Sequence, residues 1–100
     1  MKVYIAGKIT GDPEYHEKFR RVQEEAEAKG YIALNPAVLP EGMTAADYMR
    51  ICFAMIDTAD VVAFLPDYEK SRGAMLERDY CLYTRKPFMR LSDDEGEWFD

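Results

Sequence analysis

The chain has 100 residues, of which 48% are hydrophobic and 32% charged, and its net charge is −6. A chain of this length and balance suits one globular domain with one core, needing neither disulfides nor metals to stabilise it. Its 13 scattered Lys and Arg against 19 Asp and Glu exclude a long nucleic acid as partner, and no apolar run approaches a membrane span.

The opening segment is too short for a secretory signal and reads as a first strand, KVYIA (2–6), ended by Gly7. GKITGDP follows as a glycine-bearing loop. Asp12 is positioned to cap a helix, with Pro13 at its first position. Tyr15, Phe19, Val22 and Ala26 then recur at helical spacing and give that helix one apolar face, and Gly30 ends it. YIALN (31–35) is a second strand, followed by a loop containing Pro36 and Pro40. Thr44 with Asp47 resembles a capping pair. It opens a helix running to about residue 57 that is expected to bury Tyr48, Ile51, Cys52, Met55 and Ile56.

DVVAFLP (60–66) is the clearest buried strand, being β-branched and almost continuously apolar. A third helix is expected over 71–84, and KPFMRL (86–91) is a short fourth strand. The domain is therefore assigned to residues 1–91. Residues 92–100 form an acidic tail in which only Trp98 and Phe99 offer anchors. The β-α-β-α-β-α-β alternation predicts a single Rossmann-like α/β domain of three layers, with about four parallel strands and helices on both faces. Ligands gather at the carboxyl ends of the strands in such sheets, which here means the loops at 7–12, 35–43 and 66–70 and the start of the third helix.

Chemistry-bearing residues cluster in the same places. On a helical wheel Glu77 lies among Gly73, Ala74, Cys81 and Thr84, flanked by Leu76 and Tyr80, while Arg78, Asp79 and Arg85 point elsewhere. A carboxylate on a small-residue face is either an interfacial Glu that tolerates its place or an acid with room beside it for a ligand. Ser71 is a cap, and with Arg72, Gly73 and Ala74 it also offers free amides to an anion. Residues Gly7, Lys8, Ile9, Thr10 and Gly11 form a turn where α/β sheets often hold phosphate, although a tight turn alone also calls for glycine. Tyr4 is read either as a core tyrosine or as facing the ligand end of the sheet. His16 sits off the apolar stripe and reads as a surface residue. With Cys52 and Cys81 it falls one ligand short of an ordinary zinc site, so no metal and no cofactor is expected and both thiols are taken as reduced in the cytoplasm.

Taken in order, VYIAGKITG, MIDTADVVAFLPD and SRGAMLE resemble the nucleoside 2-deoxyribosyltransferase superfamily, which contains transferases and deoxynucleoside 5′-monophosphate N-hydrolases. The likeness spans about residues 2–90 and is nearest to a small phage and bacterial branch. It implies cleavage of an N-glycosidic bond, a nucleoside or nucleotide as small-molecule partner, and a homodimer or larger assembly. It also implies that Glu77 is the nucleophile, that Tyr4 is its strand tyrosine, and that Ser71, Gly73 and residues 7–11 contact the sugar or its phosphate. Catalytic members carry an acid eight residues before the aspartate opening the third strand. Counting back from Asp60 gives Cys52, with Asp57 and Asp67 as alternative acids. The substitution opens a second reading, in which the domain binds nucleotides without turning them over.

Overall fold

The computed structural model describes residues 1–92. Trp98, Phe99 and most of the acidic tail lie outside the described residues. The chain forms β1 (Lys2–Ala6), α1 (Tyr15–Ala28), β2 (Ile32–Leu34), α2 (Ala45–Thr58), β3 (Val61–Phe64), α3 (Arg72–Thr84) and β4 (Phe88–Arg90), with short 3-10 turns at Pro36–Val38 and Tyr68–Lys70. All four strands are parallel, in the order β2-β1-β3-β4. The expected alternation and layering are thus present.

Strand periodicity divides the interior into two halves. Val3 and Ile5 of β1, with Val61 and Ala63 of β3, pack with Phe19, Val22 and Ala26 of α1. The alternate residues Tyr4, Ala6, Val62 and Phe64 face the other way and meet Cys52 and Ile56 of α2 and Ala74 and Cys81 of α3. Helices therefore cover both faces, and β1 and β3 are the two strands enclosed on each side.

Element boundaries differ locally from expectation. Helix α1 begins at Tyr15 rather than at Pro13, because the Asp12 carboxylate accepts the Glu14 amide in a turn ahead of the helix and pairs with Lys18. Its end is a Schellman closure: the Gly30 amide bonds Glu27 O, the Tyr31 amide bonds Ala26 O, and Gly30 takes φ +83°. Strand β2 stops before Asn35, whose side chain turns back to accept the Ala37 amide. In α2 the Thr44/Asp47 capping box forms as expected. Ile51, expected in the core, is instead exposed, since only the Cys52/Ile56 stripe reaches the sheet; Tyr48 and Met55 are half-buried.

Candidate active site

Glu77 lies midway along α3, with Ala74 and Cys81 above and below it on the face turned to the sheet. It is 5% exposed, and it and Asn35 are the buried polar residues among those described. The hydroxyl of Tyr4, 1% exposed in the middle of β1, donates to Glu77 Oε2 at 2.6 Å. The Cys52 thiol of α2 is the third polar group in the same enclosure and acts on both. Three elements distant in sequence thus place one side chain each at a single spot.

No cation pairs with Glu77 among the described residues. Burial is therefore not offset by charge, and it pushes the carboxyl up to about 7; the Tyr4 and Cys52 donors pull it back only in part. Tyr4 is raised well above the usual phenol range by burial and by the nearby carboxylate. The Cys52 and Cys81 thiols are each pushed up to about 11, again chiefly by burial. Tyr4 bonds Oε2, and the Cys52 thiol is the second donor to the carboxyl. The carboxyl is thus held by two neutral donors and by no cation among the described residues.

The start of α3 lies one and a half turns before Glu77. Ser71 caps the helix by accepting the Ala74 amide at 3.1 Å, which leaves the amides of Arg72 and Gly73 without a backbone acceptor. Gly73 is not required by packing, since a Cβ there would meet only Ser71 Oγ, at an ordinary 3.9 Å. Gly7 is the opposite case. A Cβ on it would stand 2.5 Å from Leu65 Cδ1 and 2.9 Å from Leu65 Cβ, so the close approach of β1 to the end of β3 explains this glycine by itself.

The loop 7–11 is held from below by residues that sequence reasoning did not single out for this purpose. Lys18 of α1 donates to the Lys8 carbonyl at 2.9 Å and pairs with both Asp12 and Asp67. Asp67 in turn accepts the Lys8 amide at 3.2 Å, so that donor is already used. The clasp ties the loop after β1 to the loop after β3, at the point where the strand order reverses. Nothing in the spacing of Lys18 and Asp67 pairs them; an acid beside each of two neighbouring loops was the available signal. Thr10 is exposed, Ile9 is half-buried against the α1 core, and Gly11 takes φ +82° to close the turn.

Residues named as alternatives lie elsewhere. Asp57 accepts the Tyr80 hydroxyl on the outer side of α2 and α3, and Asp67 belongs to the clasp. His16 is exposed, its ring tilted by 33° against that of Tyr15 at 3.9 Å between centroids. It borders a separate open cleft of about 540 Å³ with Arg20, Asn35 and Glu41, on the α1 side of the sheet. No group of three or more His, Cys, Asp or Glu among the described residues is arranged to hold a metal ion.

The parallel sheet with helices on both faces defines a Rossmann-like α/β domain, with the Tyr4–Glu77 pair buried between β1 and α3. Residues 1–90 match the family described as "Domain of unknown function (DUF4406)", and the chain belongs to that family. No curated protein matches the chain. Among solved structures, the 2-deoxyribosyltransferase from the psychrotolerant bacterium Bacillus psychrosaccharolyticus superimposes with a TM-score of 0.73. The two are 19% identical over 100% of this chain and 77% of that one, a likeness of fold.

Proposed function

We propose that the domain cleaves the N-glycosidic bond of a deoxynucleoside or its 5′-monophosphate, with Glu77 as the nucleophile. The observation that carries this reading is the state of the Glu77 carboxylate: buried, without a cation among the described residues, and steadied at Oε2 by Tyr4. A scaffold glutamate at such a place would be expected to have a cation beside it, because an isolated buried charge is costly. In this reading desolvation keeps the oxygen reactive, and Gly73, with no side chain, is where the sugar approaches. Gly73 adds support, since a glycine in the first turn of a helix costs about 0.5–1 kcal/mol against alanine and packing returns nothing for it.

In this mechanism a Glu77 oxygen bonds C1′ as the C1′–N bond breaks, the base leaves with the bonding pair and takes up a proton, and water then hydrolyses the glycosyl-enzyme ester. Tyr4 holds the carboxylate toward the sugar. The amides of Arg72 and Gly73, the Ser71 hydroxyl and the side chains of Lys8, Thr10 and Arg72 take the 5′ end, with helix α3 contributing its amino-terminal dipole. Water is taken as the acceptor of the glycosyl group, so the reaction is hydrolysis rather than transfer. The reading extends to a cytoplasmic protein working as a homodimer or larger assembly, which light scattering would measure.

Free base released from a panel of deoxynucleosides and their monophosphates, separated by chromatography, is the direct test. Release from some member is expected, with loss of at least ~10³-fold for Glu77→Gln. The rate should climb with pH through about 7 as Glu77 ionises. No release from any member, or a Glu77→Gln protein equal to wild type, ends the proposal.

One observation favours a second reading. Cys52, with its thiol pushed up to about 11, stands where the family resemblance calls for an acid. A domain without that acid would bind nucleotides and turn over little. Amide shifts at Gly7, Ser71 and Glu77 on nucleotide titration, without base release, would identify this case.

A further inference from the structure

Cleaving a glycosidic bond requires that the departing base accept the bonding electron pair. A neutral purine or pyrimidine becomes an anion unless an acid protonates it in the transition state, and such help is typically worth about 10² to 10⁴ in rate. The groups gathered at Glu77 are poorly suited to give it. Tyr4 is committed to Oε2, and Cys52 is a buried neutral thiol. Every other carboxylate among the described residues lies outside this enclosure, and none is among the groups that perturb Glu77. Asp12 and Asp67 are paired with Lys18, Asp57 receives Tyr80, and Asp60 receives the Lys2 amide at the opposite end of the sheet.

What the enclosure does offer is an unpaired anion in a dry setting. An anion 5% exposed and without a cation of its own among the described residues is complementary to a substrate that brings positive charge to the glycosidic nitrogen. We infer that the site takes deoxyribosyl N-glycosides whose base is already cationic, a pyridinium or an N-alkylated purine, because such a base departs as a neutral molecule and needs no proton.

This rests on the N-glycosidase reading and names its substrate class. In the first step the bond between a Glu77 oxygen and C1′ forms as the C1′–N bond breaks. The electron pair passes to the ring nitrogen and cancels its positive charge, and the carboxylate becomes a neutral ester. In the second step water adds to C1′, its proton is released to solvent, and the Glu77 carboxylate is regenerated. Neither step requires an acid in the place held by Cys52.

The test uses the whole chain with two probes at pH 8: the 2′-deoxy form of nicotinamide mononucleotide, whose pyridinium cannot lose its charge by deprotonation, and deoxycytidine monophosphate. Base release is measured above the enzyme-free background, so that the intrinsic lability of the pyridinium is removed. Release of nicotinamide at least 10²-fold faster than cytosine is expected, with Glu77→Gln abolishing it. Cys52→Asp supplies the missing acid and should narrow the ratio between the two probes by 10-fold or more. Cys52→Ser keeps a neutral donor of similar size and should preserve the ratio, which guards against an Asp variant that fails to fold. Equal release from both probes by wild type, or a ratio that Cys52→Ser collapses, overturns the inference while leaving the glycosidase reading in place. Release from neither probe, together with silence across the wider panel, overturns both.

Discussion

At the scale of the residue, the decisive feature is a carboxylate whose charge is held by hydrogen bonding alone. The Tyr4 hydroxyl is the one well-formed donor to Glu77 among the described residues, so Tyr4→Phe should leave an oxygen unsatisfied. Removing the bond should raise the Glu77 carboxyl further above about 7, because that donor is the largest influence lowering it. The expected cost is about 1–3 kcal/mol at pH 8, where the carboxylate is ionised, and less at pH 5, where it is protonated. Carbon-detected NMR of the Glu77 carboxyl would read the titration directly; an unmoved midpoint would show that Tyr4 does not govern it. Much at this scale was legible from sequence. The run Gly73, Ala74, Cys81 identified the small-residue face on which Glu77 lies. The Tyr4 contact was not legible, because 73 residues separate donor and acceptor and strand alternation permitted either a core or a ligand-facing tyrosine.

At the scale of the element, two glycines that look alike in sequence do different work. Gly7 lets β1 run close to Leu65, and Gly7→Ala forces a contact of 2.5 Å that the core must absorb by shifting. Overpacking of this kind costs about 1–3 kcal/mol. Gly73→Ala meets nothing closer than 3.9 Å and should stabilise α3 by up to about 1 kcal/mol. Urea denaturation of the two variants separates these outcomes. If Gly73→Ala also weakens nucleotide binding, its glycine serves the ligand; a variant that binds as wild type does would return Gly73 to a purely local role. The type and order of every helix and strand followed from periodicity and capping signals. The start of α1 did not, since the Asp12 side chain was free in sequence terms to cap either the helix or the turn before it, and the pairing with Lys18 decides for the turn. The two 3-10 turns were missed because three residues carry too little pattern to announce themselves.

At the scale of the whole molecule, one buried acid should shape the dependence of stability on pH. Glu77 titrates near 7 in the folded chain against an ordinary 4.5 when unfolded, so the native state binds the extra proton between those values. Stability must then fall as pH rises across that window, by about 3 kcal/mol at most. Asp12 and Asp60 act in the opposite sense. Their carboxyls are held low, by Lys18 and by the Lys2 amide respectively, so their contribution is present above the ordinary 3.8 and is lost as pH drops through the folded values. Maximum stability is therefore expected in mildly acidic solution, at about pH 4–5. Urea midpoints from pH 3 to 8 should show this, and Glu77→Gln should flatten the descent on the alkaline side. Parallel curves for variant and wild type would place the effect elsewhere. The parallel sheet itself was readable because β3 is apolar on both faces, as only a strand covered twice can be.

The alternation along β1 has a consequence for how the domain can go wrong. Val3 and Ile5 dip into one half of the interior while Tyr4 and Ala6 enter the other. A slip of β1 by a single position against β3 would exchange these sets and carry the phenol away from α3 altogether. If the proposed glycosidase site is right, mispaired chains would be inert as well as badly packed, and an assay of base release would also count how many molecules have threaded their first strand correctly.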